Sequence, residues 1–314
     1  MNPTEVTSID MAMMRRAIQL ARNGRMDTSP NPMVGCVIAV GNRIIGEGYH
    51  RRCGEGHAEV NAVASVRDKS LLSEATAYVT LEPCSHYGKT PPCAKLLIDS
   101  GVKRVVIGSG DPNAKVNGRG IAMLRDAGIE VISGVLEDEC RAINPHFMTA
   151  FSADRPYVML KWAQSCDGFM DIRRDADAAP YLFSTPLNRA IVHRLRATHD
   201  AIMVGKRTAE LDRPSLTVRD WAGRNPRRIV ADTHEEIFDM LRRLRAEGVT
   251  SLLVEGGPTL LRSFIDSGLW DEARIEVSPQ RLGLRGAAKV PVIPAIPTAE
   301  TIVDTHRILT YLNH

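Results

Sequence analysis

His57-Ala58-Glu59, then Glu82-Pro83-Cys84 and Pro91-Pro92-Cys93, are the stretches that decide how the first half of this chain must fold. One imidazole and two thiolates are three zinc ligands, and three protein ligands leave the fourth tetrahedral position open to water. An open position marks a catalytic zinc rather than a closed structural one. Glu59 stands close behind His57, beside the metal without being needed as a ligand. A carboxylate there takes a proton from a water whose pKa zinc lowers to about 7, and returns it to a leaving amine. His86 is the alternative imidazole, but it is so near Cys84 that it would leave Glu59 without a role.

Working outward, Val34–Val40 is an apolar run, and Gly41-Asn42 predicts a tight turn into Arg43–Tyr49. Before it, Met14, Ala17, Ile18 and Ala21 share one helical face, and Gly24 predicts the stop. A helix is expected near His57 and a strand over Ala77–Leu81. Further helices near Ala94–Asp99 and Ile121–Ala127 alternate with strands over Arg104–Ile107 and near Glu130–Ile132. After a boundary near Asn144–Pro156 the rhythm restarts. Strands are predicted at Tyr157–Trp162, Ala201–Val204, Arg228–Val230 and Ser251–Val254, with helices over Pro186–Arg196 and Glu235–Glu247 and from Pro258. Two α/β domains with several parallel strands follow.

Bulk properties agree. With 314 residues, 44% hydrophobic and 25% charged, the chain has material for two cores and is too apolar to be disordered. Forty basic against 37 acidic side chains leave +3, so nothing demands nucleic acid or a membrane surface as partner. No apolar run is long enough to span a bilayer, and MNPTEVTSID lacks the basic and hydrophobic parts of a secretory signal. A cytoplasmic location is the expectation. The six cysteines do not read as a disulfide framework.

The pattern H-x-E…P-C is the signature of zinc nucleobase deaminases, although the usual P-C-x-x-C is here opened to eight residues, Ser85 to Pro92. These residues, with Ser29-Pro30-Asn31-Pro32, Gly48-Tyr49-His50 and Asp111-Pro112-Asn113, closely resemble the bifunctional riboflavin-biosynthesis deaminase/reductase family. The resemblance implies a cytidine-deaminase-like αβα domain over 1–147. It would remove ammonia hydrolytically from a diaminopyrimidine carrying a ribosylamino phosphate, with Glu59 catalytic and His57, Cys84 and Cys93 on zinc. Asn31 is a candidate for positioning the ring or sugar, His50 and Lys89 for sugar or phosphate contacts. Asn31 could equally be a turn residue, and Lys89 a solvated loop charge.

The second half, 148–314, resembles the dihydrofolate-reductase-like α/β domain of the same family. The resemblance is carried by Lys161–Gly168, His193-Arg194-Leu195-Arg196, Asp200–Gly205, Thr208, Asp212–Arg219 and Val254–Leu260. It implies NADPH reduction of the ribosyl to a ribityl side chain. Gln164, Thr208, Asp212, Thr233, Gly257, Pro258, Thr259 and Leu260 would bind the cofactor. Lys161, Arg196, Leu216, Arg219 and Glu255 would bind substrate. Gly256-Gly257 between strand and helix lets the backbone approach a phosphate, and guanidinium forks suit phosphate oxygens.

Two departures stand out. Leu182-Phe183-Ser184 replaces a Trp-Ile-Thr stretch, and the chain passes almost directly from Thr233 into Glu235–Glu247 where the family has several dozen more residues. A sheet short of one strand is expected to bind NADPH less well. The alternative to a working pair of activities is therefore an active deaminase with a vestigial, structural or oligomerising second domain. A homo-oligomer is implied by the resemblance only.

Overall fold

The computed structural model describes residues 5–87, 91–113, 116–173, 175, 178–231 and 235–313. The chain divides into two compact units, Met1–Ala153 and Asp154–His314.

The first unit runs α1 (Ser8–Ala21), β1 (Gly35–Val40), β2 (Arg43–Tyr49), α2 (Ala58–Ser65), β3 (Thr76–Leu81), α3 (Cys93–Asp99), β4 (Arg104–Ser109), α4 (Arg119–Asp126), β5 (Glu130–Ser133), α5 (Glu137–Ala142) and α6 (Pro145–Ser152). Its sheet has the order β2-β1-β3-β4-β5. The β1–β2 hairpin and the β1–β3 pair are antiparallel, and β3, β4 and β5 are parallel. Gly41 supplies the positive φ of +59° that the hairpin turn requires.

Alternate strand residues enter opposite cores, as the pleat dictates. Cys36, Ile38, Val79, Val105 and Ile107 meet Ala62, Leu97 and Leu124 on one face. Val37, Ala39, Tyr78 and Val106 meet the α1 stripe Met14, Ala17, Ile18 and Ala21 on the other. Apolar runs without polar alternation are thus explained by burial on both sides, in an αβα sandwich. Thr7 and Asp10 form a capping box at the start of α1, and a 3-10 turn over Arg22–Gly24 follows its end.

The second unit runs β6 (Tyr157–Gln164), α7 (Pro186–Thr198), β7 (Ala201–Gly205), α8 (Lys206–Leu211), β8 (Arg227–Ala231), α9 (Ile237–Ala246), β9 (Ser251–Val254), α10 (Pro258–Ser267), β10 (Glu272–Val277), β11 (Ala299–Val303) and β12 (His306–Leu312). Its seven-stranded sheet has the order β11-β12-β10-β6-β9-β7-β8. The run from β10 to β8 is parallel, while β12 is antiparallel to β10 and β11 to β12. Val158, Leu160, Trp162, Leu252 and Val254 pack under α9 and α10, and Tyr157, Met159, Ile202 and Leu253 pack toward α7.

The sheet ends at β8, where Val230 is 51% exposed; among the described residues no strand pairs with its outer edge. The elements β10, β11, β12, α5, α6 and α8 have no counterpart in the sequence reading. In β10 the inward face carries the buried charges Arg274 and Glu276, which break the apolar pattern. In β11 an exposed edge has no apolar run to see. No helix of the described residues is long and apolar enough to cross a membrane.

Candidate active sites

His57 caps α2 with extended backbone, Cys84 follows β3, and Cys93 opens α3, so three element ends bring the predicted ligands together. Their ligand atoms all lie within 4.8 Å of one another, the one such trio among the described residues. His57 Nδ1 is 3.7 Å from Cys84 Sγ and 3.3 Å from Cys93 Sγ. Zinc bond lengths put tetrahedral nitrogen and sulfur ligands about 3.5–3.8 Å apart, so the trio has the size and donor set for that ion.

The backbone N–H of Cys93 donates to Cys84 Sγ at 3.2 Å. Hydrogen bonds from the Cys93 thiol, from His57 and from that N–H outweigh burial and hold the Cys84 thiol below its ordinary range. Cys93, donating to its neighbour and buried, is pushed up. One negative charge is thus already favoured where a cation would sit.

Glu59, on the first turn of α2, is 3% exposed. Burial raises its pKa, against the opposing pull of His57 and a hydrogen bond accepted from the Cys93 thiol. It therefore sits beside the ligands as a carboxyl group that can be protonated more readily than one in water. His50 and Asn31 join the same site. Asn31 Nδ2 lies 3.3 Å from His50 Nε2, His50 Nδ1 lies 3.2 Å from Gly56 O, and the His50 and His57 rings are 5.4 Å apart. Burial lowers the His50 pKa, which fits a neutral ring donating from Nδ1 and accepting at Nε2. Lys89 lies outside the described residues.

Glu82, two residues before Cys84, has a role that its place in the sequence does not announce. Its carboxylate accepts from Gly118 N at 2.9 Å, Gly120 N at 2.9 Å and Ile121 N at 3.2 Å, tying the start of α4 to the strand end that carries Cys84. Nearby Asp111 is buried and pushed up to about 6, by burial first and then by the charges of Glu82 and Cys84.

The second unit holds a cavity of about 1210 Å³ at the C-terminal ends of β6, β7 and β9. Thr208, Asp212, Gly257, Pro258, Thr259 and Leu260 line one part of it, and Lys161, Arg196, Arg219 and Glu255 another. Gly257 caps α10 with no side-chain hydrogen bond and Pro258 carries no N–H, so the first N–H groups this helix start presents are those of Thr259 and Leu260. A Cβ on Gly256 would approach Leu260 Cδ2 to 2.8 Å, so the turn is tight as well as bare. A bare helix start of this kind suits a nucleotide phosphate.

Arg196 and Glu255 are paired through both forks, at 3.1 and 2.8 Å. Burial would raise Glu255, but Lys161 and Arg196 outweigh it and hold its pKa low. Burial depresses Lys161. Arg196 also donates to Thr217 O at 3.3 Å, so its guanidinium is engaged within the protein. Gln164 and Leu216 are not among the described lining residues. Gln164 Oε1 accepts from Trp162 Nε1 at 2.7 Å, and Leu216 is buried in the core under α7. Thr233 lies outside the described residues.

Two family models match the chain. The cytidine and deoxycytidylate deaminase zinc-binding region covers residues 7–109, and the RibD C-terminal domain covers 156–239 and 236–295. The riboflavin biosynthesis protein RibD of Actinobacillus pleuropneumoniae is 37% identical over 335 aligned residues, covering 91% of this chain and 88% of that one. That of Escherichia coli is 35% identical over 349, covering 92% and 94%. Both alignments are longer than the 314-residue chain, so these relatives carry residues it lacks, and the second model breaks at 236–239, just beyond Thr233.

Among solved structures, Acinetobacter baumannii RibD superposes with TM-score 0.89 at 31% identity, covering 98% of this chain and 99% of that one. A Thermotoga maritima protein described as a diaminohydroxyphosphoribosylaminopyrimidine deaminase/5-amino-6-(5-phosphoribosylamino)uracil reductase superposes with TM-score 0.86 at 33% identity, with the same coverage.

Proposed function

The chain belongs to the RibD family of riboflavin-biosynthesis proteins, and on that premise we propose which of its residues carry the two activities. The enzyme is a zinc-dependent deaminase joined to an NADPH-dependent reductase. It converts a diaminopyrimidine ribosylamino phosphate to the aminouracil, then the ribosyl to a ribityl side chain. We assign the deaminase to residues 1–147 and the reductase to 148–314, within a few residues of the division between the two compact units. A vestigial second domain is not favoured, because the RibD C-terminal model matches most of it and the cavity is retained.

In the first unit His57, Cys84 and Cys93 hold the zinc, which when bound supplies the Lewis acidity that makes water a nucleophile at neutral pH. Glu59 would take one proton from the attacking water and pass it to the ring nitrogen, then take a second from the hydroxyl so formed and pass it to the amine, which departs as ammonia. Its burial suits it to carry a proton between those steps. Asn31 and His50 orient the ring and sugar, and Lys89 meets the phosphate. The observation that carries this reading is Glu59, buried beside a three-ligand trio that leaves one tetrahedral position unfilled. Zinc content and ammonia release in Cys84→Ala test it; full metal and unimpaired deamination in that variant would overturn it.

In the second unit NADPH supplies a hydride when bound. Gly257, Pro258, Thr259 and Leu260 receive its phosphates at the start of α10, while Thr208 and Asp212 meet its nucleoside parts; for Gln164, which does not line the cavity, and for Thr233 a cofactor contact rests on the family resemblance alone. Lys161 and Glu255 face the sugar, with Arg196 holding Glu255 in place. Arg219 meets the substrate phosphate, and Leu216 supports that contact from beneath. We place the enzyme in the cytoplasm as a homo-oligomer whose partner is the small phosphorylated pyrimidine, with no call for nucleic acid or membrane.

A further inference from the structure

His193 is 4% exposed on α7, lines the cavity, and has no part in the scheme above. Its Nδ1 lies 2.7 Å from the backbone N of Arg219 and 3.3 Å from that of Asp220. A backbone N–H only donates, so Nδ1 is the acceptor and carries no proton. The ring proton is then on Nε2, which faces Asp220 Oδ2 at 3.6 Å.

The segment held in this way needs holding. Arg213 and Leu216 have φ of +41° and +55°, the left-handed region that costs a side-chain-bearing residue on the order of 1 kcal/mol or more. The segment between β7 and β8 is anchored at Thr217 O by Arg196, at Val218 N by Asn225 Oδ1 at 2.8 Å, and at Arg219 and Asp220 by His193. Of these, the His193 anchor is the one at the residue proposed for the phosphate. The Arg219 guanidinium is turned back within the same segment onto the Ser215 and Thr217 hydroxyls, so its position follows the segment backbone.

We infer that His193 is a positioning residue of the reductase: its Nδ1 lone pair fixes the Arg219–Asp220 backbone, and thereby sets Arg219 for the substrate phosphate. This rests on the assignment of Arg219 to that phosphate. The charged groups facing the ring are Arg196 on its own helix, Arg219 and Asp220 on the segment, and Glu255 after β9. Burial first, then Arg196 and Arg219, favour the neutral ring over the opposing pull of Asp220 and Glu255. The folded pKa is lowered, so the anchor is complete above the ordinary imidazole value of about 6.5 and is lost as pH falls through the lower folded value. An imidazolium would present a proton to two N–H donors.

The test is NADPH oxidation by the full-length enzyme with the deaminated phosphoribosylamino substrate, from about pH 5 to 8. In His193→Leu the KM for that substrate should rise about tenfold, with kcat and the KM for NADPH within about twofold, since one charge-assisted contact is worth roughly that factor. His193→Asn offers an amide oxygen that accepts but does not titrate. It should recover most of the affinity at neutral pH and flatten the acid limb of kcat/KM expected in the wild type. An unchanged KM in His193→Leu, or an acid limb that persists in His193→Asn, would overturn the inference. Arg219→Ala separates the two layers. A raised KM there with none in His193→Leu sinks the inference alone; no rise in Arg219→Ala with a rise in His193→Leu sinks the Arg219 assignment and leaves His193 holding the segment.

Discussion

Glu82 and Gly120 are bound to each other across the edge of the metal site: the Glu82 carboxylate accepts the Gly120 N–H at 2.9 Å. A Cβ on Gly120 would fall 2.0 Å from Pro83 O, so strand end and helix start are in backbone contact directly ahead of Cys84. The anion also meets the positive end of α4. Glu82→Gln replaces one acceptor by a donor, so that one of the three N–H groups loses its acceptor, while Gly120→Ala forces the two backbones apart. Each should weaken zinc retention by roughly 10- to 100-fold, as loss of groups supporting metal ligands commonly does. Competition with a coloured chelator measures this, and wild-type retention in both variants would refute it.

Glu59→Gln keeps the shape of the side chain and removes its proton chemistry. Ammonia release should fall by roughly 10²- to 10⁴-fold while bound zinc is unchanged. NADPH oxidation with preformed aminouracil should be untouched in the same preparation. Deamination within about tenfold of wild type would remove Glu59 from the proton-transfer role.

Cys93→Ala, or removal of zinc with a strong chelator, deletes the ligand set and not the second unit. The expected result is loss of ammonia release with NADPH oxidation of the aminouracil retained, and return of ammonia release when zinc is restored to the chelated wild type. Recovery of activity in the zinc-depleted Cys93→Ala protein would contradict it.

Asp10 gives a stability test independent of catalysis. It is fully buried and accepts from Arg104 at 2.6 and 3.1 Å, from Tyr78 and from Thr7. Burial alone would raise its pKa; the hydrogen bonds from Arg104 and Thr7 prevail and lower it to about 2. Stability from a depressed carboxylate is present above its ordinary value of 3.8 and is lost as pH falls through about 2. Asp10→Asn should cost about 2–3 kcal/mol at neutral pH, because Arg104 keeps only the partly exposed Glu130 as counter-ion. Urea unfolding should find that gap narrowing as the pH drops from about 4 toward 2. A pH-independent gap would mean that charge is not what Asp10 contributes.

The metal centre was readable because its chemistry needs particular residue types: His57, Glu59, Cys84 and Cys93 have few other reasons to occur in that order at element ends. The strands β1, β3 and β4 were readable because two-sided burial leaves apolar runs with little polar alternation. Glu82 was not, since a carboxylate at a strand end looks ordinary until α4 arrives to meet it. His193 belongs to the His193–Arg196 motif, yet its partner is the backbone of Arg219, and a backbone N–H leaves no mark on the sequence. The hidden strand β10 buries Arg274 and Glu276, and Glu276 is satisfied by Ser184 and His306 from distant segments. The edge left at β8 was foreshadowed by the short passage after Thr233, because missing chain can be counted without being seen.

Ammonia and NADPH recorded together in one tube, started with the diaminopyrimidine ribosylamino phosphate, examine the pairing of the two halves. Ammonia should appear first, followed by NADPH loss that reaches one mole per mole of ammonia. Ammonia with no loss of NADPH would contradict that pairing. The second unit would then be a reductase in fold alone, and the open edge of β8 the place where it failed.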